Sequence, residues 1–556
     1  MEERRLLLAV ALSLLVVTAY QLLFPQARPQ PTPSPRAAAP ATTTPAASAS
    51  PPPARPPVGA RPAPAAPVIG DNQERRVEVD GADLSLALTN RGARLVSWRL
   101  VHYVDARGRP EDMVQTVPGG PRPLDLETGD AALDARLREA LFQASTPHLE
   151  LRNSAERRLL LQFSDGEVHA EKSLSFEERG YLVGVEARVR RNGQELPVRV
   201  VWGPGIGTPT PAEREIRGYQ GPEAVAFVRD VARTPAAKLQ TPQAVSGARF
   251  LGVESRYFAA LWLAPEGMLS GELRARPLAP YEDGSPRIAP EALVSLAESA
   301  GHVLLYVGPK DYHILATSGH GLSRVVPVGD WIGPLVVPLL GLLRFVHRYV
   351  GNYGWSIVVL TVLINLVMGP LRHYSIKNGF KMAKLAPEMR VIQDRYRKVP
   401  ALDPRRQQMQ EEIQALYARH GMSMGTQMAV GCVPMLLTMP FLYAFYRVLD
   451  VSIDLRGADF LWIRDLSQKD PLFVTPLLMG VSMFVMQRMT PSTMDPAQQR
   501  IMTLMPLMLV MMFFWAPAGL NLYWLVSNLC SIVQQGITLK LLKAEQRAPA
   551  KERRQR

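Results

Sequence analysis

Apolar residues gather at the two ends of this chain, and the middle alternates. The first block, Leu6–Phe24 (LLLAVALSLLVVTAYQLLF), follows MEERR and is long enough to span a bilayer. It exceeds a typical signal-peptide core, so residues 1–24 are expected to form an uncleaved transmembrane anchor. Between about Asp71 and Arg324 short segments alternate or run apolar: Val77–Val79, Leu84–Leu88, Leu95–Leu100, Leu159–Phe163, His169–Phe176, Tyr181–Val189 and Val198–Val201. Asn90-Arg-Gly92, Asp165-Gly166 and Asn192-Gly193 supply turns between them. Many short strands with turn signals predict an all-β, sandwich-like domain over residues 71–325. GPGIG at Gly203–Gly207 lacks the spacing of a phosphate loop and is expected to be a turn.

The last third holds five apolar runs, at about 352–371, 428–448, 472–487, 501–516 and 518–539. With the anchor they predict a multi-domain membrane protein: a helical bundle of six spans, five of them a core over 351–540. The first core run, NYGWSIVVLTVLINLVMGPLR, carries no charge before Arg372 and has Pro370 near its end. Thr361 and Asn365 lie four residues apart, on one helix face. Lipid cannot satisfy such a stripe, so it must face protein or water. It serves either as interhelical glue or as part of a wet groove.

Ahead of the core, 326–350 reads as an amphipathic interfacial helix, with Leu335, Leu339, Leu342 and Val346 on one face and Arg344, His347 and Arg348 elsewhere. Residues 372–427 read as a helical hairpin broken at Pro400 and Pro404. Its stripes are Leu385, Met389, Ile392, Tyr396 and Met409, Ile413, Leu416, Tyr417. Residues 25–70 are rich in Pro and Ala and form no core; they are expected to be a spacer.

The formal net charge of +13 raises nucleic acid or anionic lipid as partners, so the location of the charge matters. It concentrates in the hairpin and in the tail, 541–556, whereas the loop from Asp450 to Pro471 is acidic, with Asp450, Asp454, Asp459, Asp465 and Asp470. The positive-inside rule then places hairpin, tail and both termini in the cytoplasm, and the β domain with the acidic loop outside. Topology alone explains the charge. Cys432 and Cys530 both sit in apolar runs and are expected to be small buried residues, not a disulfide or zinc framework.

No H-E-x-x-H, C-x-x-C, Walker A or G-x-S-x-G pattern occurs. The core spans have no interior Asp, Glu, Lys or His, which argues against a proton-coupled transporter. Neutral polar and Met side chains are dense instead: Gln427, Met435, Thr438 and Met439, then Asn521, Ser527, Asn528, Ser531, Gln534 and Gln535. A wet groove with soft apolar walls would suit varied helical substrates; a plain structural bundle uses the same residues. A small-molecule transporter or channel and an enzyme carried outside on a membrane anchor are the competing classes.

Several stretches, in this order, resemble the YidC/Oxa/Alb membrane protein insertase family, of the Gram-negative type with a large periplasmic domain. They are YFAALWLAP, LYVGPKDY, VGNYGWSIVVLT with VMGPL, GCVPMLLTMPFLYAFYRVL, DFLWIRDLSQKDP, LLMGVSMFVMQRMTPSTMDPAQQRIMTLMP and FWAPAGLNLYWLVSNLCSIVQQ. The resemblance implies a non-enzymatic insertase and chaperone of the inner membrane, working without nucleotide, metal or other cofactor. Its partners would be nascent membrane proteins, components of the Sec translocon, the ribosome (through hairpin and tail) and membrane lipids, with no small-molecule substrate. A hydrophilic groove open to cytoplasm and lipid is implied.

One position departs from the family pattern. Five residues before the Pro of V-M-G-P the family usually places an Arg in the groove; here stands Asn365. Thr361 matches a groove-facing position, and Trp524 falls where a substrate-contacting Tyr is common, beside Tyr523. With the polar and Met positions Met435, Thr438 and Asn528 read above, the expected substrate groove comprises Thr361, Asn365, Met435, Thr438, Tyr523, Trp524 and Asn528. Either Asn365 suffices by hydrogen bonding, or Arg372 and His373 at the cytoplasmic mouth supply the missing charge.

Overall fold

The alternating segments pair as their spacing predicts. In the computed structural model, Arg76–Asp80, Leu84–Thr89 and Arg94–Val104 form an antiparallel meander. Its second turn, between Leu84–Thr89 and Arg94–Val104, passes through Gly92 and Ala93 at φ 72° and 48°. Described are residues 67–556 except 106, 116, 118–119, 153–155, 208, 210–213, 215–220, 282–283, 285, 297–300, 397–398, 401–402, 422–438, 491–495 and 555–556. The expected anchor, nearly all of the Pro/Ala spacer, Gln427, Cys432, Met435, Thr438 and the start of the second core span lie outside the described residues.

Among the described residues three sheets make up the β domain, of five, ten and five strands. The pairings are antiparallel apart from Arg76–Asp80 with His148–Glu150. The ten-stranded sheet holds Arg158–Ser164, Val168–Phe176 and Leu182–Arg191 together with Phe258–Leu263 and His302–Pro309. Phe258–Leu263 is buried at every position, so its sequence runs apolar and does not alternate. Trp98 and Trp202 meet edge to face at 6.0 Å in the core. GPGIG is a turn, with Gly203, Gly205 and Gly207 all at positive φ. Two features escaped the alternation: the helix Ala131–Glu139, N-capped by Asp130, and the short helix Tyr312–Thr317, N-capped by Asp311.

We number the C-terminal helices α1 (Gly333–Val350), α2 (Tyr353–Val367), α3 (Gly369–Arg395), α4 (Arg405–Arg419), α5 (439–451), α6 (Val474–Met489), α7 (Pro496–Phe513) and α8 (Ala518–Arg554). The amphipathic reading of α1 needs a correction. The buried face is Val336, Leu339, Leu340, Leu343 and Val346, whereas Leu342 is exposed. The expected face shares Leu339 and Val346 with it but takes Leu335 and Leu342 in place of Val336, Leu340 and Leu343, about one position off along the helix.

The first core run is also not one straight helix. It stops at Val367, and α3 leaves at 57° from α2. Pro370 has no N–H to continue the ladder, and Gly369 before it favours the break. Among the described residues one helical segment, Ala518–Leu542, is long and apolar enough to cross a bilayer unaided, and the bent pair α2–α3 passes together. α8 continues without interruption through the basic tail to Arg554, so the tail is helical.

Two compact units divide the chain, one taking Pro387–Met424, the other Ala63–Ala386 with Gly425–Arg556. Within the smaller unit the hairpin pairs as its stripes predict. Met389, Met409, Leu416 and Tyr417 are buried, and the Tyr417 hydroxyl lies 2.8 Å from Met389 Sδ. Tyr396 and Arg395 both bond Glu412.

Candidate functional site

Two polar seams run along α8, and helix geometry separates them. Ser527, Ser531, Gln534 and Thr538 recur at i, i+4, i+7 and i+11, on the face toward α2 and α3. Asn528 and Gln535 lie seven apart and face α6. Each side chain finds a partner, as buried polar groups in a bundle must.

The first seam centres on Asn365. Its amide Nδ2 donates to Thr361 O at 2.8 Å, and its Oδ1 accepts from Arg372 Nη1 at 2.8 Å. The same Arg372 nitrogen donates to Ser531 Oγ at 2.6 Å, and Ser531 donates on to Ser527 O at 2.6 Å. Arg372 lies seven residues after Asn365, two turns along a straight helix. The bend at Met368 and the backward tilt of helical side chains bring its long stem onto Asn365. Gln534 Nε2 donates to Gly369 O at 2.5 Å, which pins the break, and His373 Nδ1 lies 3.0 Å from Thr538 Oγ1.

Arg372 makes no ion pair among the described residues. It is a half-buried cation bonded to an amide and a hydroxyl, both neutral. Thr361, by contrast, is fully buried, and its hydroxyl donates to Ile357 O of its own helix at 2.6 Å.

The second seam is smaller. Asn528 Nδ2 donates to Ser482 Oγ at 3.0 Å, and Gln535 Nε2 to Thr490 Oγ1 at 3.1 Å. Tyr523 is buried and stacks on Phe445 with centroids 4.0 Å apart; Trp524 meets Phe513 edge to face at 4.9 Å. Asn365 and Arg372 are therefore brought together, with Thr361 beside them, while Asn528 points to another helix. Ser527 and Ser531 belong to the Asn365 seam. Their spacing from Gln534 along one helix face was the available signal.

Above the bundle the acidic loop is bound to the β domain. Arg344 bridges Asp311 and Asp454; Arg456 pairs with Glu111 at 2.9 Å, with both side chains largely buried; Arg256 pairs with Asp450 at 3.2 Å. Asp470 turns inward to cap α6, accepting from Thr475 N and Oγ1 and from Trp462 Nε1.

Residues 76–342 match the family described as YidC periplasmic domain, and residues 345–546 the family described as 60Kd inner membrane protein. The protein named membrane protein insertase YidC of Geobacter metallireducens is 32% identical over 98% of this chain and 99% of its own length. This chain belongs to the YidC insertase family. The YidC of Syntrophus aciditrophicus is also 32% identical, over 83% of this chain and 84% of its own. A solved active YidC insertase aligns over 85% of this chain and 94% of that one, at 16% identity and a TM-score of 0.34. The family places the chain in the inner membrane with its β domain in the periplasm. Relatives carry the name of an insertase and not that of a catalysed reaction.

Proposed function

We propose that this chain inserts membrane proteins by receiving their polar flanks along the α2–α3–α8 seam. The observation that carries this reading is the Arg372 guanidinium, held on Asn365 and Ser531 without a carboxylate among the described residues. An unpaired cation among spanning helices is expensive, about 2.5–3.5 kcal/mol on insertion scales, and such groups mark a pathway more often than a scaffold. An acidic residue passing the cytoplasmic mouth would find its counter-charge there. The apolar segment behind it would then move into lipid, driven by burial of its side chains.

On this reading Arg372 supplies the charge that the family usually carries at position 365, and Asn365 positions it. Thr361 supports Asn365 from the preceding turn, while Asn528 serves the separate seam toward α6. The hairpin and the helical tail face the cytoplasm, where their basic residues would dock the ribosome with a salt-dependent contact. The β domain meets Sec components outside. The acidic loop's bonds to the β domain support that sidedness.

The test is rescue of cells depleted of their own insertase. The wild-type chain should restore insertion of substrates with acidic translocated tails, and Arg372→Gln should not. Rescue by Arg372→Gln equal to wild type would remove the basis of the proposal.

A further inference from the structure

A cleft of about 660 Å³ opens where the β domain meets the outer ends of α5 and α7. Its roof is ionic. Glu254 pairs with Arg233 at 2.6 Å and Lys310 at 3.2 Å, and Asp450 pairs with Arg447 at 2.8 Å and Arg256 at 3.2 Å. Each carboxylate is thus shared by two bases. Three arginines stand against two paired carboxylates, an excess of one positive charge that no pH near neutral removes. Lys310 and Glu223, also in the cleft, shift toward neutrality together. Burial depresses the Lys310 ammonium, and burial with Glu254 nearby raises the Glu223 carboxyl. The Arg447 Nε is buried and donates to no described residue.

The floor is apolar and belongs to the bundle: Met512, Trp515 and Leu520, with Tyr446 at the side. Met512 and Trp515 are each 54% exposed, and the exposed surface continues down α7 through Met511 and Met508. A cationic roof thus sits directly over an apolar wall that faces lipid, with a Tyr and a Trp at the level between them. That is the arrangement of a membrane–water interface, where amphipathic rings lie at headgroup depth.

We propose that this cleft seats the headgroup of an anionic phospholipid from the outer leaflet, its acyl chains lying along α5 and α7. The phosphate oxygens bond the guanidinium groups of Arg447 and Arg256, which both line the cleft. A carboxylate of a translocating peptide would match the charge, but it would not use the apolar wall leading down into lipid. The inference goes beyond insertion and does not depend on Arg372.

The experiment is lipid retention by the purified full-length protein, followed by native mass spectrometry, with phosphatidylglycerol and phosphatidylcholine of the same chains. Phosphatidylglycerol should be retained in preference. Arg256→Gln/Arg447→Gln should weaken its retention about tenfold, as expected for lost charge-assisted bonds. Arg188→Gln/Arg190→Gln, which removes the same charge from exposed strand positions, should change nothing. Because Arg447 also bonds Pro327 O, a second measurement uses unaltered protein: a photoreactive phosphatidylglycerol should label the segments Tyr446–Leu449 and Met512–Trp515. Equal retention of the two lipids overturns the proposal. So does labelling confined to other segments, or displacement of the lipid by a soluble acidic peptide.

Discussion

Removing Arg344 should loosen the β domain from the bundle in a measurable way. Its Nε donates to Asp454 Oδ2 at 2.9 Å, its Nη1 to Asp311 Oδ1 at 3.1 Å, and Nη2 contacts both acids. Asp311 is 5% exposed and Asp454 20%, so Arg344→Met strands two carboxylates, one of them deeply buried. Breaking a buried pair in this manner costs about 3–5 kcal/mol. Arg344 is itself 26% exposed, and Asp311 keeps its bonds from His313 N and Ile314 N, so about 2–4 kcal/mol is the better figure. Amide hydrogen exchange of the full-length protein in nanodiscs reads this locally. The amides of Leu315 and Ser318, in the helix Asp311 caps, should exchange about 30- to 1000-fold faster. Asp454→Asn, which leaves the Asp311 pair intact, should cost about 1 kcal/mol. A change under about threefold in Arg344→Met would refute the reasoning, because it would mean that the ion cluster does not hold the junction.

Lys172 is fully buried, donates to the carbonyls of Ala93 and Leu124 at 2.6 Å, and burial pushes its ammonium down to about 7 from the usual 10.5. The unfolded chain then binds the extra proton between those values, so stability should rise with pH across that window, by at most about 1.4 kcal/mol per unit. Exchange from the strand Val168–Phe176 should show the rise, and Lys172→Met should flatten it; a flat wild type would count against the shift. Gly480→Ala would drive its Cβ into the Val510 side chain between α6 and α7 and should destabilise by about 1–3 kcal/mol, with Val510→Ala restoring most of it. Thermal inactivation of both variants decides this, and no rescue would mean that the two helices shift freely. Tyr417→Phe removes the hydroxyl on Met389 in the hairpin and should alter unfolding by under about 1 kcal/mol, since the ring stays in place. A larger loss would show that the contact organises the hairpin.

Much of the fold is legible in the residues because period and burial agree. The longer strands up to Trp202 are legible where one face is buried and the other wet, as in Arg76–Asp80, whereas two- and three-residue strands such as Leu126–Glu127 and His148–Glu150 are too short to show a period. Later strands such as Phe258–Leu263 are not legible, because burial on both faces erases alternation. The break after Val367 was marked by Gly369-Pro370, yet apolarity carried the reading through it, since hydropathy does not report direction. The site was half legible. Thr361 and Asn365 announced a stripe, and the missing Arg at 365 stood out against the family pattern. That Arg372 folds back onto Asn365 depends on the 57° bend, which no periodicity encodes. The pairing of Asp450 and Arg456 with the β domain joins residues 194 and 345 positions apart, and Asp454 meets Arg344 of α1 across 110, all beyond the reach of local pattern.

The central claim is that Arg372 provides the groove's positive charge and Asn365 holds it. The most direct measurement is insertion of an acidic-tailed substrate by four chains: wild type, Arg372→Gln, Asn365→Ala and the exchange Asn365→Arg with Arg372→Gln. The account predicts loss in Arg372→Gln, a partial loss in Asn365→Ala, and recovery in the exchange, with neutral-tailed substrates little affected throughout. Normal insertion by Arg372→Gln, or no recovery in a folded exchange variant, would contradict it.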